Sequence, residues 1–467
     1  MQSRRDQLQA YKFLTRRALA ALVTGEPDVP EAPMRRLSVT TATGIMVAIL
    51  VAAGFAVFGL LRPGSNTKIE AGTIYIERET GAQFVLLDDG QLHPTLNYTS
   101  AVLAVGKQQG KVGTKTVSAG ALSHKKHGAT VGISGVPQSL PRSTGRLVRE
   151  PWSVCSQITE QGASNNKATV TVTVGDTAGA TPLPPDDGVV VTTPGVNQPS
   201  YLLWHGRRLK IGTSEIGTAL RLQTGNALIV GSSLLNALPQ GPSLATPTVP
   251  DAGQPGPTVG TTPTLVGQLV EVTDDHTFQV VLRDGLTSVN PVAVSLLRTL
   301  RIGGQLRNPI QARVRDVLPA QSKNPQPFLQ QFAGLPPDTP PVPDSPAQAG
   351  GACVVFHENA PLSLSVPPGT APTNGGSVGE SPQSALGVAD VVNVPAEKAA
   401  VVMSDNGAAA RFVIAAPGRK FAANAGALAS LGYGSITPVT MPSQLLLLVP
   451  NGPALDSAAA QHPVVGS

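Results

Sequence analysis

The residues whose type and spacing suit chemistry are few. The nearest text to a phosphate-binding loop is GKQQGKVGTKT, starting at Gly106. A P-loop needs G-x-x-x-x-G-K-[ST], so that backbone N–H groups surround the phosphates while Lys and Ser/Thr reach the γ-phosphate and metal. Here the lysines and glycines of Gly106 to Lys115 stand at other intervals, and no helical pattern follows. A nucleophile elbow, G-x-S-x-G, is approached at Gly212-Thr213-Ser214 and at Gly231-Ser232-Ser233 but completed at neither. His124 and His127 in SHKKHG have the i, i+3 spacing of metal ligands on a helix. The two lysines between them and Gly128 after them favour a solvated loop. The acidic pairs Asp88-Asp89, Asp186-Asp187 and Asp274-Asp275 lie beside glycine or at expected strand ends, where Asp shapes turns more often than it forms an acid/base dyad. Trp152 and Trp204 are the only tryptophans, too few for a carbohydrate-stacking platform, and read as core residues. No catalytic, cofactor or metal site is expected.

Cys155, in EPWSVC, and Cys353, in GGACVVF, offer disulfide chemistry, and whether they use it depends on the compartment. The compartment follows from the uncharged run Ser38 to Leu61, SVTTATGIMVAILVAAGFAVFGLL, bracketed by Arg35, Arg36 and Arg62. As a helix it is roughly 35 Å long, enough for a hydrocarbon core of about 30 Å. Before it stand Arg4, Arg5, Lys12, Arg16, Arg17, Arg35 and Arg36 against Asp6, Glu26, Asp28 and Glu31. Basic residues are retained on the cytoplasmic side, so the N-terminus is expected in the cytoplasm and the C-terminal part is expected to be exported. The apolar core exceeds that of a cleaved signal, and Leu61-Arg62-Pro63 is no cleavage site, which predicts an uncleaved single-pass membrane anchor. LLLLV at Leu445 to Val449, between Pro442 and Pro450, is strand-length and not a second span.

In an oxidising compartment with no third thiol to compete, a Cys155–Cys353 disulfide is the leading reading, with two buried free thiols as the alternative. The bond would close a loop of roughly 200 residues, for which chain entropy gives at most about 5 kcal/mol. It would also make one central domain from two separated pieces of chain. The formal net charge of +5 is concentrated in the cytoplasmic segment, and the exported part has no basic stripe, which argues against nucleic acid as a partner.

Residues 4 to 23, RRDQLQAYKFLTRRALAALV, place Leu8, Tyr11, Leu14, Ala18 and Leu22 on one face of a helix. Such a helix either lies on anionic lipid or docks a partner. Beyond the membrane, four segments resemble one another: FVLLDDGQLHPTLNYTSAVLAV from Phe84, YLLWHGRRLKIGTSEIGTALRL from Tyr201, FQVVLRDGLTSVNPVAVSLL from Phe278 and FVIAAPGRKFAANAGALASLGY from Phe412. Each begins with an aromatic and an apolar run, turns at a glycine (Gly90, Gly206, Gly285, Gly418) and ends in an Ala/Leu-rich stretch. The pattern predicts strand, tight turn, strand and short helix. Chance convergence on a common β-turn-β pattern is the competing reading. Pro182 to Pro199, Pro239 to Pro263, Pro319 to Gly351 and Pro367 to Pro382 read as semi-rigid linkers, and LPPDTPPVPDSP in the third is expected to be extended or irregular. Such linkers suit an elongated ectodomain.

The opening RRDQLQAYKFLTRRALAALV, the single span, YIERETGAQFVLLDDGQLHPTLNYTSA after it and the cysteine contexts EPWSVC and ACVVF together resemble the EccB family, a membrane component of the actinobacterial ESX, or type VII, secretion system. The resemblance covers essentially the whole chain. It implies a single-span membrane protein with a β-rich α+β ectodomain, four short repeat domains around a central disulfide-linked core. The expected plan is a cytoplasmic amphipathic helix and linker at 1–37, the span at 38–61, repeat one at 66–122 and the first part of the core at 123–196. Repeat two follows at 197–248, repeat three at 262–318, a Pro-rich linker at 319–350, the second part of the core at 351–395 and repeat four at 396–460. The resemblance also implies assembly with the FtsK-like ATPase EccC, with EccD and EccE, with a mycosin protease and with other EccB copies. Members of the family are often labelled ATPases, a label that no motif here supports. A scaffold needs no catalytic constellation, whereas an ATP hydrolase or a cell-wall-binding module would each need a site that the residues do not display.

Overall fold

The computed structural model describes residues 3–25, 33–60, 68–106, 112–142, 144–160, 167–369, 387–407 and 409–464. These fall into two compact units, one formed by residues 1–69 with 77–81 and 116–124, the other by 70–76, 82–115 and 125–467.

The first unit begins with helix α1, Arg4–Thr24, whose N-cap Ser3 N–H reaches the Asp6 carboxylate at 3.3 Å and whose end is closed by Gly25 in the left-handed region at φ 72°. Helix α2, Pro33–Leu60, contains the apolar stretch Leu37–Phe58 with a mean hydropathy of 2.2, long and apolar enough to cross a membrane. It is the one such helix among the described residues. Leu61, expected as its last residue, lies outside them.

The remaining chain builds one small unit four times and a central sheet once. The first repeat holds β1 (Thr73–Glu77), β2 (Gln83–Leu86), β3 (Leu92–Pro94), α3 (Tyr98–Val105), β4 (Gly113–Val117) and α4 (Ala119–Leu122). Then come β5 (Trp152–Glu160), β6 (Lys167–Val174) and β7 (Thr181–Pro182) of the central sheet. The second repeat is β8 (Val189–Thr192), β9 (Ser200–Trp204), β10 (Arg207–Lys210), α5 (Ser214–Ala219), β11 (Leu228–Ile229) and α6 (Ser232–Ala237). The third is β12 (Leu269–Val272), β13 (Phe278–Leu282), β14 (Gly285–Val289), α7 (Pro291–Leu297), a small hairpin β15 (Arg301–Ile302) and β16 (Gln305–Leu306), β17 (Ile310–Ala312) and α8 (Val314–Val317). Short helices α9 (Gln326–Leu329) and α10 (Ser345–Gln348) lead back to the central strands β18 (Gly351–Phe356), β19 (Ser363–Val366) and β20 (Val391–Asn393). The fourth repeat is β21 (Ala399–Ser404), β22 (Arg411–Ala415), β23 (Arg419–Ala423), α11 (Ala425–Ser430), β24 (Val439–Met441) and α12 (Ser443–Leu447).

Each repeat sheet has the order third, second, first, fourth: β3-β2-β1-β4, β10-β9-β8-β11, β14-β13-β12-β17 and β23-β22-β21-β24. In repeats two to four the last strand runs parallel to the first, as a connection through a helix permits and a tight turn does not. The same local chemistry starts the helix every time. Asn97, Thr213, Asn290 and Asn424 each accept a hydrogen bond from the N–H three residues on, at 2.7, 3.4, 2.8 and 2.7 Å. Each such cap contributes about 1 kcal/mol. A returning segment then bridges the third strand, through Leu92 with His127, Arg208 with Gln240, Leu286 with Gln321 and Lys420 with Asn451.

Several expected boundaries shift. The second repeat's sheet opens at β8, so a start at 197 cuts through it and Pro182 to Pro199 is not a linker. The bridge from Leu92 to His127 assigns the start of 123–196 to the first repeat's sheet. In Pro239 to Pro263 the buried Leu244 and Val249 pack with the second and third repeats. The Pro-rich 319–350 segment is a strap rather than a linker. Its Phe328, Phe332 and Leu335 are buried in the core that repeats two and three share, and Gln331 exchanges two hydrogen bonds of 3.0 Å with the Thr248 backbone. Proline at the first turn of α9 and α10 is compatible with a helix start, so a high proline count did not exclude helices. The expected linker Pro367 to Pro382 lies mostly outside the described residues.

Candidate functional site

The centre of the ectodomain is a six-stranded sheet in the order β20-β6-β5-β18-β19-β7. Its two middle strands come from distant parts of the chain and pair antiparallel from Trp152 with Phe356 to Gln157 with Gly351. Within that ladder Cys155 is directly opposite Cys353, and the two sulfurs are bonded, with Cα atoms 4.0 Å apart. Both cysteines are buried, so the bond is shielded from solvent reductants. One face of the sheet, with Trp152, Val154, Val172 and Val354, packs against residues of repeat two such as Val191 and Leu203 and of repeat four such as Val402 and Ile414. Repeats two and three share a second apolar cluster, and repeats one and four share a third.

The hairpin glycines serve as close-approach points. Gly206 and Gly418, at φ 66° and 84°, turn the hairpins β9–β10 and β22–β23. A Cβ on either would lie 2.5 Å from a carbonyl oxygen, that of Leu362 before β19 or that of Val392 in β20. Repeats two and four therefore meet the central sheet through equivalent turns at different strands. Gly285, at φ 150°, lies against the backbone of Gln321 and Ser322 in its own returning segment. Gly90, at φ 73°, has open space where a Cβ would be and serves only its turn. Polar ties reinforce the contacts. Ser156 Oγ on β5 accepts the Gly231 N–H at the start of α6 at 2.9 Å, and the Arg149 guanidinium binds both oxygens of Glu358 and the Thr437 carbonyl.

Several of the residues with candidate chemistry are occupied in structural roles. The Asp89 carboxylate accepts from the Gln91 N–H and bonds His93 Nε2 at 2.9 Å, and those hydrogen bonds hold its pKa below the usual carboxylate range. Asp275 accepts from the Thr277 N–H and hydroxyl, with the same effect, and Asp274 accepts from the Val314 N–H. Asp186 pairs with His205 at 3.1 Å. His124 is exposed in a turn, and His127 lies edge-on to Phe84. Among the described residues no three of His, Cys, Asp and Glu converge as metal ligands. Residues 107–111 of the lysine/glycine segment lie outside the described ones. Trp152 is buried with its Nε1–H donating to the Arg149 carbonyl, and Trp204 stacks on His205.

On α1, Leu8, Tyr11, Leu14 and Leu22 are 56, 71, 63 and 86% exposed, and Leu19 extends the same face. Sequence reasoning passed over Leu19, and it missed Lys420. That lysine is 6% exposed on β23 and donates from Nζ to the Leu446 carbonyl in α12 at 2.6 Å. Burial pulls its pKa down to about 8. Its strand also carries Arg419, and the residue two on from Lys420, Ala422, is exposed, so no local pattern marked the lysine as buried.

Comparison with known proteins gives concordant matches. The profile of the family described as "Type VII secretion system ESX-1, transport TM domain B" matches residues 1–464. A protein of Mycobacterium tuberculosis (strain CDC 1551 / Oshkosh) called "ESX-3 secretion system ATPase EccB3" is 31% identical over 314 residues, 63% of this chain and 56% of the relative. The "ESX-3 secretion system ATPase EccB3" of Mycolicibacterium smegmatis (strain ATCC 700084 / mc(2)155) is 30% identical over 303 residues, 63% of this chain and 57% of the relative. The chain thus spans under two thirds of these curated relatives. Among solved structures, a chain of the periplasmic assembly from the ESX-5 inner membrane complex has a TM-score of 0.65 at 25% identity, covering 87% of this chain and 98% of that one. The EccB3 dimer from the ESX-3 core complex gives a TM-score of 0.65 at 25% identity, covering 83% of this chain and 99% of that chain.

Proposed function

This chain belongs to the EccB family of the type VII (ESX) secretion system, and from that premise we propose that it is a structural membrane component of a secretion complex, acting through its interfaces. The observation that carries the reading is the likeness of its ectodomain to a periplasmic assembly. The fold is in keeping with it. The repeats meet one another and the central sheet through apolar clusters and glycine turns, and Asp89 and Asp275 hold turns. The relatives' names include the word ATPase, and no motif in this chain supplies nucleotide chemistry.

The proposed topology has the N-terminus in the cytoplasm and the ectodomain in the periplasm, supported by the basic residues before the span. The proposed partners are an EccC ATPase, EccD, EccE, a mycosin protease and further EccB copies. The solved EccB3 dimer supports the last of these. The exposed face of Leu8, Tyr11, Leu14 and Leu22 is the proposed cytoplasmic docking surface. The domain plan is proposed with the second repeat opening at β8 and the 319–350 segment as a strap.

Leu14→Glu together with Leu22→Glu tests the docking surface. The doubly charged helix should lose co-purifying membrane partners while the chain still inserts. Lost insertion would instead make the helix a topogenic element.

A further inference from the structure

Repeats two and three form a pair that shares one apolar cluster, with α5 packed against α7. Aligning the two repeats on their helix caps, Thr213 with Asn290, matches Glu215 to Val292, Arg221 to Arg298 and Leu222 to Thr299. The pair therefore presents two related grooves, each between the start of one helix and the end of the other.

One groove is filled. Leu220 and Leu222 after α5 and Val292 at the start of α7 are covered by Pro336, Thr339 and Pro340 of the strap. The Pro337 carbonyl accepts the Val292 N–H at 3.3 Å. The occupant is LPPDTPP, whose prolines favour an extended, low-entropy backbone with free carbonyls. The related groove is open. Glu215, Thr218 and Ala219 of α5, Arg298 and Thr299 after α7, and Leu306 line a space of about 360 Å³. Leu306 sits on the β15–β16 hairpin and is 56% exposed, an apolar ridge against which a proline ring packs. Arg298 lines the open groove, while its counterpart Arg221 is exposed to solvent outside the filled one.

We propose that this open groove binds an extended proline-rich segment of a partner polypeptide, in the way the chain's own strap fills the related groove. The inference does not depend on which secretion complex the chain serves.

The test is fluorescence anisotropy of a labelled LPPDTPPVP peptide with the full chain in mild detergent, alongside a peptide of the same composition with every proline replaced by alanine. Saturable binding of the proline peptide alone is expected. Thr218→Arg and Leu306→Asp, both at exposed positions, should each weaken it at least about tenfold. A photo-crosslinking version of the peptide on the unmutated chain should label residues 214–219 or 298–306. The proposal is overturned by no saturable binding up to about 1 mM, by equal binding of the alanine peptide, by binding that neither variant weakens, or by crosslinks around Val292, where the peptide would merely have exchanged with the strap.

Discussion

Cys155 lies directly across from Cys353 in neighbouring antiparallel strands, 198 residues away in sequence and 4.0 Å away between Cα atoms. Repeats two and three and the strap are all inserted between these two cysteines, and the sheet that joins β5 to β18 closes the insertion. The covalent bond and the hydrogen-bonded ladder thus act at one place, the bond on the unfolded chain and the ladder on the folded one.

Cys155→Ala with Cys353→Ala should therefore leave the ladder formed but the chain less stable, by about 2 to 5 kcal/mol. Urea unfolding under oxidising conditions measures this. An unchanged midpoint would mean that the ladder alone sets stability.

The hairpin glycines should separate by what they touch. Gly90→Ala meets open space and incurs only the cost of a positive φ, about 1 kcal/mol. Gly206→Ala and Gly418→Ala also press a methyl group onto a carbonyl oxygen, so both should cost more than Gly90→Ala and loosen the attachment of their repeats to the central sheet. Hydrogen exchange at β19 and β20 reports the loosening.

What the sequence made legible follows from periodicity. The apolar run of α2 and the glycine-turned hairpins of β9–β10, β13–β14 and β22–β23 are local signals, spread over one span or one turn. The first strand of each repeat was not legible. β8 lies within a Pro-rich stretch, and its pairing with β9 and β11 makes it part of a sheet. The strap was hidden for a related reason. Phe328, Phe332 and Leu335 carry its packing, while the prolines around them suggested a tether. The docking role of Gly206 and Gly418 depends on Leu362 and Val392, distant residues that no local pattern reveals.

Lys420 gives a pH signature. Burial holds its folded pKa near 8, below the usual 10.5, so between these values the unfolded chain binds more protons. Its contribution to stability is therefore unfavourable at neutral pH and is relieved as pH rises from 8 towards 10. The difference in unfolding free energy between the natural chain and Lys420→Met should shift in favour of the natural chain by up to about 3 kcal/mol across that window. A pH-independent difference would show the ammonium to be solvated in the folded state.

The helix caps predict a modest, repeatable effect. Asn97→Ala, Asn290→Ala and Asn424→Ala should each cost about 1 kcal/mol. If each cap acts only on its own helix, the triple variant should lose close to their sum in denaturant unfolding. A markedly larger loss would show coupling between the repeats through their shared clusters.

The central claim, that this chain works as a structural part of a membrane complex, is tested most directly by purifying the tagged full-length chain in mild detergent. Native mass analysis and identification of the co-purifying chains then give the result. The account predicts a large assembly containing further copies of this chain and multispanning partners, with any ATP hydrolysis following the partner ATPase. A lone chain that hydrolyses ATP after every partner has been removed would contradict it.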